Sequence, residues 1–170
     1  MKQLPQIHLR ALEPDDLDDL YLIENNDALW RVGATNVPYS RYVLHDYIAN
    51  TRSDIYADRQ LRLMIEDADH HVIGIIDLVN FDPRHLRAEV GIVVKDEWRR
   101  KGYATAAVRE ICRYADQILH LHQLYVIIDA ENMAALQLFR QEHFCIVNTL
   151  HEWLSTGREY HDAVLMQTFF

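Results

Sequence analysis

Three consecutive cationic residues, Arg99, Arg100 and Lys101, precede Gly102 and, two residues later, a second small residue. The run before them, Ala88 to Val94, is nearly continuous in β-branched residues, which is typical of a strand buried on both faces. The order predicts a strand, a cationic turn and a helix N-terminus, where unpaired backbone N–H groups bind anions such as phosphate. A solvated basic turn, with glycine present only for its dihedral angles, explains the same residues, and the local pattern leaves both open.

The elements around this turn alternate between period-two and helical patterns. Leu61, Leu63 and Ile65 recur at every second position, and Val72–Ile76 follows a polar turn, which predicts a β-hairpin. The remaining strand-like segments predict strands at 7–11, 124–128, 144–154 and 160–169. The helical segments predict one helix that begins near Pro14 and three more, from Arg41 to about Ile55, from Gly102 to about Ile118 and from Asn132 to Glu142.

Bulk composition narrows the class of protein. The 170 residues suit one domain spanning residues 1–170, and the 49% hydrophobic content is enough for a core. The formal charge of -9 disfavours a nucleic-acid partner. The N-terminus has no signal-like apolar run and no stretch reaches membrane-span length, so we expect no membrane partner and a cytoplasmic location. Cys112 and Cys145 lie in apolar patterns and are expected in the core.

The turn resembles a family signature. Arg99 to Ala104 is similar to the Arg/Gln-x-x-Gly-x-Gly/Ala motif of the GNAT superfamily of acetyl-CoA-dependent N-acetyltransferases. A second element of that family follows at the expected distance: a strand at Tyr125 to Asp129, a helix opened by Asn132, and Phe144 in the last sheet segment. Arg87-Ala88-Glu89 and the ending from His151 resemble the polyamine and ribosomal-protein acetyltransferase branch.

This resemblance implies an α+β fold. A mixed, mostly antiparallel sheet of about seven strands would splay at the coenzyme A site, with about four flanking helices. Acetyl-CoA would be the co-substrate, with no metal. Its pantetheine arm would contact the backbone of Ile92 and Val94 and the side chain of Asn132, which is equally suited to cap its own helix. Its pyrophosphate would bind the turn residues Arg99, Arg100, Lys101, Gly102, Tyr103, Ala104 and Thr105.

Two proton transfers must accompany acetylation of an amine. An alkylammonium has a pKa of about 10.4, so a base must remove a proton, and Glu89 matches the family position for it, although a structural glutamate fits as well. Many relatives protonate the departing thiolate with a tyrosine at the position of Phe139, which cannot donate. An alkyl thiol has a pKa of about 8.5, so its thiolate could leave without an acid, and water, Tyr125 or Tyr160 could also supply the proton. His143 stands where relatives often have glycine and is expected at a helix end.

Several functions stay open at the level of sequence. The loop Gly33 to Ser40 lacks the carboxylates that polyamine acetyltransferases carry there. The acceptor is therefore a polyamine, another small primary amine, or the N-terminus of a protein, and a non-catalytic acyl-CoA-binding module is the alternative from another class. No cysteine or carboxylate lies at ligand spacing from His70-His71 or His120 and His122, which argues against a metal. A homodimer or larger homo-oligomer is expected from the resemblance.

Overall fold

A seven-stranded sheet forms the centre of the protein. The structure, a computed structural model, describes residues 3–29 and 37–170. The strands are β1 Ile7–Ala11, β2 Leu61–Asp67, β3 Val72–Asp82, β4 Arg87–Val94, β5 Gln123–Asp129, β6 Cys145–Ser155 and β7 Tyr160–Phe169. They lie side by side in the order β1-β2-β3-β4-β5-β7-β6. The predicted α+β class and strand number are confirmed.

Five α-helices lie among the described residues, one more than expected. They are α1 Leu17–Glu24, α2 Arg41–Asn50, α3 Ile55–Asp58, α4 Tyr103–Gln117 and α5 Met133–Gln141. The prediction of one helix from Arg41 to about Ile55 was wrong. The chain becomes extended at Thr51 (φ -68°, ψ 134°), and the Asp54 carboxylate then caps α3 by accepting the Tyr56 amide at 2.9 Å.

The sheet is antiparallel except at one junction. β4 and β5 pair in parallel, and only from Arg87 to Glu89 on β4 and from Gln123 to Tyr125 on β5. Beyond the pair formed by Glu89 and Tyr125, the two strands separate. β4 remains paired with β3 up to Val94, and β5 remains paired with β7 up to Asp129. The predicted splay is confirmed, and it leaves one edge of β4 without a strand partner.

Two hydrophobic cores cover the two faces of the sheet. The larger core includes Ala88 and Val90 of β4 and the apolar faces of α4 and α5. The smaller core joins α1 and α2 to β2 and β3, with Val93 at its margin. The prediction that β4 is buried on both faces was wrong, because only Ala88, Val90 and Val94 are buried. Its β-branched content reflects strand propensity, while Glu89 and Gly91 lie on the more open face with Val93.

The last two strands leave apolar side chains exposed. Nearly every residue of the edge strand β6 is exposed, including Cys145, so the expectation that Cys145 lies in the core was wrong. Cys112 packs against the larger core, and burial raises the pKa of its thiol to about 12. Both cysteines are free. In the described ranges, no helix combines the length and apolar character needed to cross a membrane.

Asp16 anchors the start of α1 through a half-buried ion pair. Its carboxylate accepts hydrogen bonds from Arg10 at 2.7 and 2.8 Å and from the Glu13 amide at 2.8 Å. Burial acts to raise the pKa of Asp16, but the bonds from Arg10 and Glu13 outweigh it and hold the pKa below its usual value. The stabilisation is therefore present above the ordinary carboxyl pKa and is lost as the pH falls below about 4.

We expect Asp16→Asn to lower the free energy of unfolding by about 1–3 kcal/mol at pH 7, because it leaves Arg10 short of a partner. Urea unfolding at several pH values would measure this loss, which should shrink below about pH 4 as the native carboxylate protonates. Asp18→Asn is the matched control, since Asp18 is exposed and its pair with Arg41 should contribute less than about 1 kcal/mol. A pH-independent effect of Asp16→Asn would contradict the prediction.

Candidate active site

The gap between β4 and β5 is lined by backbone groups of β4. The Lys95 amide donates to the Ile73 carbonyl of β3 at 2.9 Å, so Lys95 points its backbone toward β3. In an antiparallel pair, residues whose N–H and C=O point toward the partner strand alternate with residues whose N–H and C=O point away from it. Ile92 and Val94 belong to this second set, opposite Ile76 and Gly74. Their backbone groups therefore face the gap, where an extended ligand arm could pair with them.

The predicted anion-binding turn follows directly at the end of β4. Arg100 (φ 58°) and Gly102 (φ 92°) both adopt left-handed backbone conformations, which bend the chain sharply into α4. The first helical bond of α4 runs from the Ala106 amide to the Gly102 carbonyl at 3.0 Å. The amides of Tyr103, Ala104 and Thr105 come before that bond and have no intrahelical acceptor. These amides form the positive end of a 15-residue helix, which suits a diphosphate.

The three cations of the turn have different surroundings. The Arg99 Nε donates to the Val94 carbonyl at 2.9 Å, and its Nη1 lies 2.9 Å from an Asp96 oxygen. The Lys101 ammonium lies 5.4 Å from the centre of the Trp98 ring. Arg100 is exposed, and its position at the left-handed residue places it at the rim of the turn. Arg99 therefore ties the turn to the strand end, while Arg100 is an exposed cation of the same turn.

Gly102 also contacts the N-terminal segment. A Cβ added to Gly102 would lie 3.1 Å from Cδ of Pro5 and 3.5 Å from Cδ2 of Leu4. The positive φ disfavours any side chain at this position independently of space. The turn thus requires glycine for its backbone conformation, and the residues before β1 close one side of it.

A polar cluster occupies the apex of the splay. We call Asn80, Glu89 and Tyr125 the apex cluster. Glu89 and Tyr125 form the last β4–β5 register pair, and Asn80 Nδ2 donates to Glu89 Oε2 at 2.8 Å. Burial raises the pKa of Tyr125, and the negative charge of Glu89 together with the hydrogen bond between the two side chains raises the pKa further. The phenol is therefore protonated at neutral pH, next to a carboxylate, at the point where the strands separate.

The face of β4 that carries Glu89 continues into a charged network. Asp77 on β3 is the register partner of Gly91, and a Cβ on Gly91 would contact Cβ of Asp77 at 3.7 Å. Arg62 donates to Asp77 at 2.8 and 2.9 Å and also to Glu24 at the end of α1. Burial acts to lower the pKa of Arg62, but Asp77 and Glu24 outweigh it and raise the pKa. This face of the sheet therefore carries Glu89 as well as the Arg62–Asp77 ion pair.

The residues on α5 have structural contacts. Asn132 caps the helix, with its Oδ1 accepting the Ala135 amide at 3.1 Å, as the capping alternative predicted. Phe139 is 2% exposed and packs edge-on against Phe144, with ring centres 5.0 Å apart. Phe139 belongs to the larger core and so lies on the opposite face of the sheet from Glu89. His143 follows the helix with φ 68°, which explains why glycine also suits this position.

The loop expected to reveal the acceptor is only partly described. Gly33 to Asn36 lie outside the described residues. Before them, Asn25 ties the end of α1 to the segment leading into α2. Its side chain accepts the Tyr39 amide at 2.7 Å and donates to the Tyr39 carbonyl at 3.0 Å. Asn25 thus fixes the two ends of the loop relative to each other.

Two groups of side chains in the described ranges have ligand atoms within 4.8 Å of one another, as a metal site requires. The expectation that no carboxylate approaches His70-His71 was wrong, because the β2–β3 turn brings Asp67 Oδ2 to 3.3 Å from His71 Nδ1. Asp67 also accepts the backbone amides of the turn, which gives it a structural role. The two groups are Asp67, Asp69 and His71, and Asp129, Glu131 and His161.

The structure brings most of the sequence-predicted residues together and adds others. The backbone of Ile92 and Val94, the turn from Arg99 to Thr105, and Glu89 all border the gap. Asn80 and the Arg62–Asp77 pair were missed by the sequence analysis. Nothing in their local pattern distinguishes them from ordinary strand residues, because only the register of β2, β3 and β4 places them near Glu89.

Comparison with known proteins agrees with this geometry. Residues 6–144 match the acetyltransferase (GNAT) domain family. The chain is 30% identical to the spermidine N(1)-acetyltransferase of Escherichia coli K12, over 99% of this chain and 89% of that protein. Spermidine N-acetyltransferase from Vibrio cholerae, in complex with CoA and spermine, superposes with a TM-score of 0.87 at 27% identity, covering 96% of this chain and 95% of that one.

A dodecameric structure of the Vibrio cholerae enzyme superposes with a TM-score of 0.82 at 29% identity, over 96% of this chain and 94% of that one. These matches extend across both the splayed strands and the turn that precedes α4. The family signature, the gap between β4 and β5, and the helix N-terminus beside it coincide in one region. The chain therefore belongs to the GNAT acetyltransferase family.

Proposed function

We propose that this protein transfers the acetyl group of acetyl-CoA to a primary amine of a polyamine. The observation that carries the proposal is the separation of β4 and β5 after Glu89 and Tyr125, with an anion-binding helix N-terminus at its open end. This arrangement provides an edge for the pantetheine arm and a positive site for the pyrophosphate. The match to polyamine acetyltransferases over nearly the whole chain supports the same reaction.

The proposed path of acetyl-CoA follows the free edge of β4. The pyrophosphate binds the amides of Tyr103 to Thr105, with Arg100 as the neighbouring cation. The arm then runs past Val94 and Ile92 toward the apex, a distance along the strand of about 13 Å from Val94 to Val90. An N–H of β4 near the apex stabilises the oxyanion that forms when the amine attacks the thioester carbonyl.

The charge of the acceptor side favours a cationic amine. Glu89, Asp77 and Glu24 lie on one face of the sheet, and Arg62 is the cation that contacts two of them. Glu89, which accepts a hydrogen bond from Asn80 at the apex, carries the negative charge beside Tyr125. An ammonium approaching Glu89 is attracted by this charge, and Glu89 then accepts a proton from it, directly or through water.

The surface of the last two strands supports a homo-oligomer. Five large apolar side chains of β6 and β7 are exposed in the isolated chain, with between 47% and 64% of each accessible, and an assembly would bury them. They are Ile146, Val147, Trp153, Tyr160 and Phe169. The dodecameric structure of the Vibrio cholerae relative supports an assembly of this kind.

Release of free CoA across a panel of amines tests the proposed function. With acetyl-CoA present, we expect spermidine and spermine to give more CoA release than amino acids or peptides with free N-termini. Preference for a peptide would indicate a protein N-terminal acetyltransferase. CoA binding without release above the uncatalysed rate, for every amine and peptide tried, would identify a non-catalytic acyl-CoA-binding protein and contradict the proposal.

A further inference from the structure

The proton needed by the departing thiolate has no source at Phe139. The Phe139 ring is buried against Phe144 on the α5 side of the sheet and carries no exchangeable proton. Tyr160 is also unsuitable. Tyr125 pairs with Gln167 of β7, and Tyr160 lies seven residues farther along that strand. This separation is about 23 Å in an extended chain, which places Tyr160 beyond the open end of the gap.

Tyr125 lies at the apex of the gap, where β4 and β5 part. In parallel register partners the side chains share a face, so Tyr125 and Glu89 stand side by side on the α1–α2 face. Asn80 holds one Glu89 oxygen at 2.8 Å and thereby fixes the carboxylate beside the phenol. On the proposed path along β4, the thioester would enter the gap where Glu89 and Tyr125 lie, at its apex.

Resting on the proposed function, we infer that Glu89 and Tyr125 form a proton relay that carries a proton from the attacking amine to the CoA sulfur. Glu89 first takes one proton from the ammonium, directly or through water, and releases it to solvent. The neutral amine then attacks the carbonyl carbon, so that a C–N bond forms and the C–S bond breaks. Glu89 accepts the second proton from nitrogen, the Tyr125 hydroxyl gives its proton to sulfur, and the proton on Glu89 returns to the Tyr125 oxygen.

The return step makes this relay chemically reasonable. A phenol alone, with an ordinary pKa near 10, is a weaker acid than a thiol, whose pKa is about 8.5, so donation from tyrosine alone runs uphill. When the protonated carboxyl of Glu89 replaces the lost proton, the net transfer runs from nitrogen to sulfur. The raised pKa of Tyr125 keeps the hydroxyl protonated before each turnover.

The relay is tested with Tyr125→Phe, which keeps the ring and removes only the hydroxyl, in the full-length protein with acetyl-CoA and the best amine of the panel. We expect kcat to fall about 100-fold, while CoA affinity and the melting temperature change little. The solvent deuterium isotope effect on kcat should also decrease, which a purely structural role would not cause. Tyr160→Phe is the matched control and should leave kcat within about twofold.

A double-mutant cycle distinguishes a relay from two independent contributions. Because the two groups act as one unit, Glu89→Gln with Tyr125→Phe should be no slower than the worse single variant. Phe139→Tyr in the Tyr125→Phe protein should recover part of kcat by supplying an acid from the other face. Additive losses, or unchanged kcat in Tyr125→Phe, would overturn the relay alone. A wild-type protein that acetylates no amine would overturn the proposed function together with it.

Discussion

Gly102→Glu is expected to weaken CoA binding by at least about 100-fold, equivalent to about 2.7 kcal/mol. The substitution places a carboxylate at the helix N-terminus where the pyrophosphate is proposed to bind. Two like charges about 5 Å apart repel by about 3 kcal/mol at an effective dielectric constant of about 20. Isothermal titration calorimetry with CoA would measure the loss.

The effect of backbone strain on CoA affinity must be separated from the effect of the added charge. Any side chain at residue 102 must adopt the φ of 92° and approach Pro5, at a cost of about 1–3 kcal/mol in stability. Gly102→Ala carries the same backbone strain without the charge and is therefore the matched control. We expect both variants to remain folded in thermal melts. Equal CoA affinity in Gly102→Glu and Gly102→Ala would show that the pyrophosphate binds elsewhere.

Glu89→Gln is expected to lower kcat/KM by about 10²- to 10⁴-fold, because it removes the proposed general base. Only about one alkylamine in 2,500 is uncharged at pH 7, given a pKa of about 10.4. Glutamine can still accept the hydrogen bond from Asn80, so the local geometry should persist. Steady-state rates of CoA release between pH 6 and 10 would measure the effect.

The pH dependence identifies the role of Glu89. The deficit of Glu89→Gln should narrow above about pH 9, where much of the amine is already deprotonated and needs less help from a base. Glu110→Gln is the control, since Glu110 lies on α4 and forms an exposed pair with Arg113 that should matter little to activity. A deficit of constant size at every pH would show that Glu89 does not remove the proton from the ammonium.

The parts of the site that could be predicted from the sequence are those encoded locally. The strand, turn and helix from Ala88 to Thr105 are contiguous, so their order and the small residues at the helix start were visible as a pattern. The N-cap at Asn132 was predicted for the same reason, since a capping bond spans only three residues. The early end of α2 was missed because it depends on Asp58, which accepts the Arg52 amide across a short loop.

The parts that could not be predicted depend on strand register. Arg62 and Asp77 lie on different strands, and their bidentate contact exists only because β2 and β3 pair in one particular alignment. The apex cluster likewise requires β3, β4 and β5 to meet at one level of the sheet. Alternating hydrophobicity sets which face a side chain occupies but not which residue of the next strand it meets.

The short junction between β4 and β5 has a mechanical consequence. Only three residue pairs connect the half-sheet β1–β4 to the half-sheet β5–β7, whereas pairing within each half is far longer. A co-substrate bound between β4 and β5 would contact both half-sheets and make them unfold as a single cooperative unit. At a ligand concentration of 100 times Kd, the gain in unfolding free energy is about 2.7 kcal/mol. In the free protein the larger core, which spans both half-sheets, holds them together, and a bound co-substrate would add the pairing that β4 and β5 lack beyond Glu89 and Tyr125.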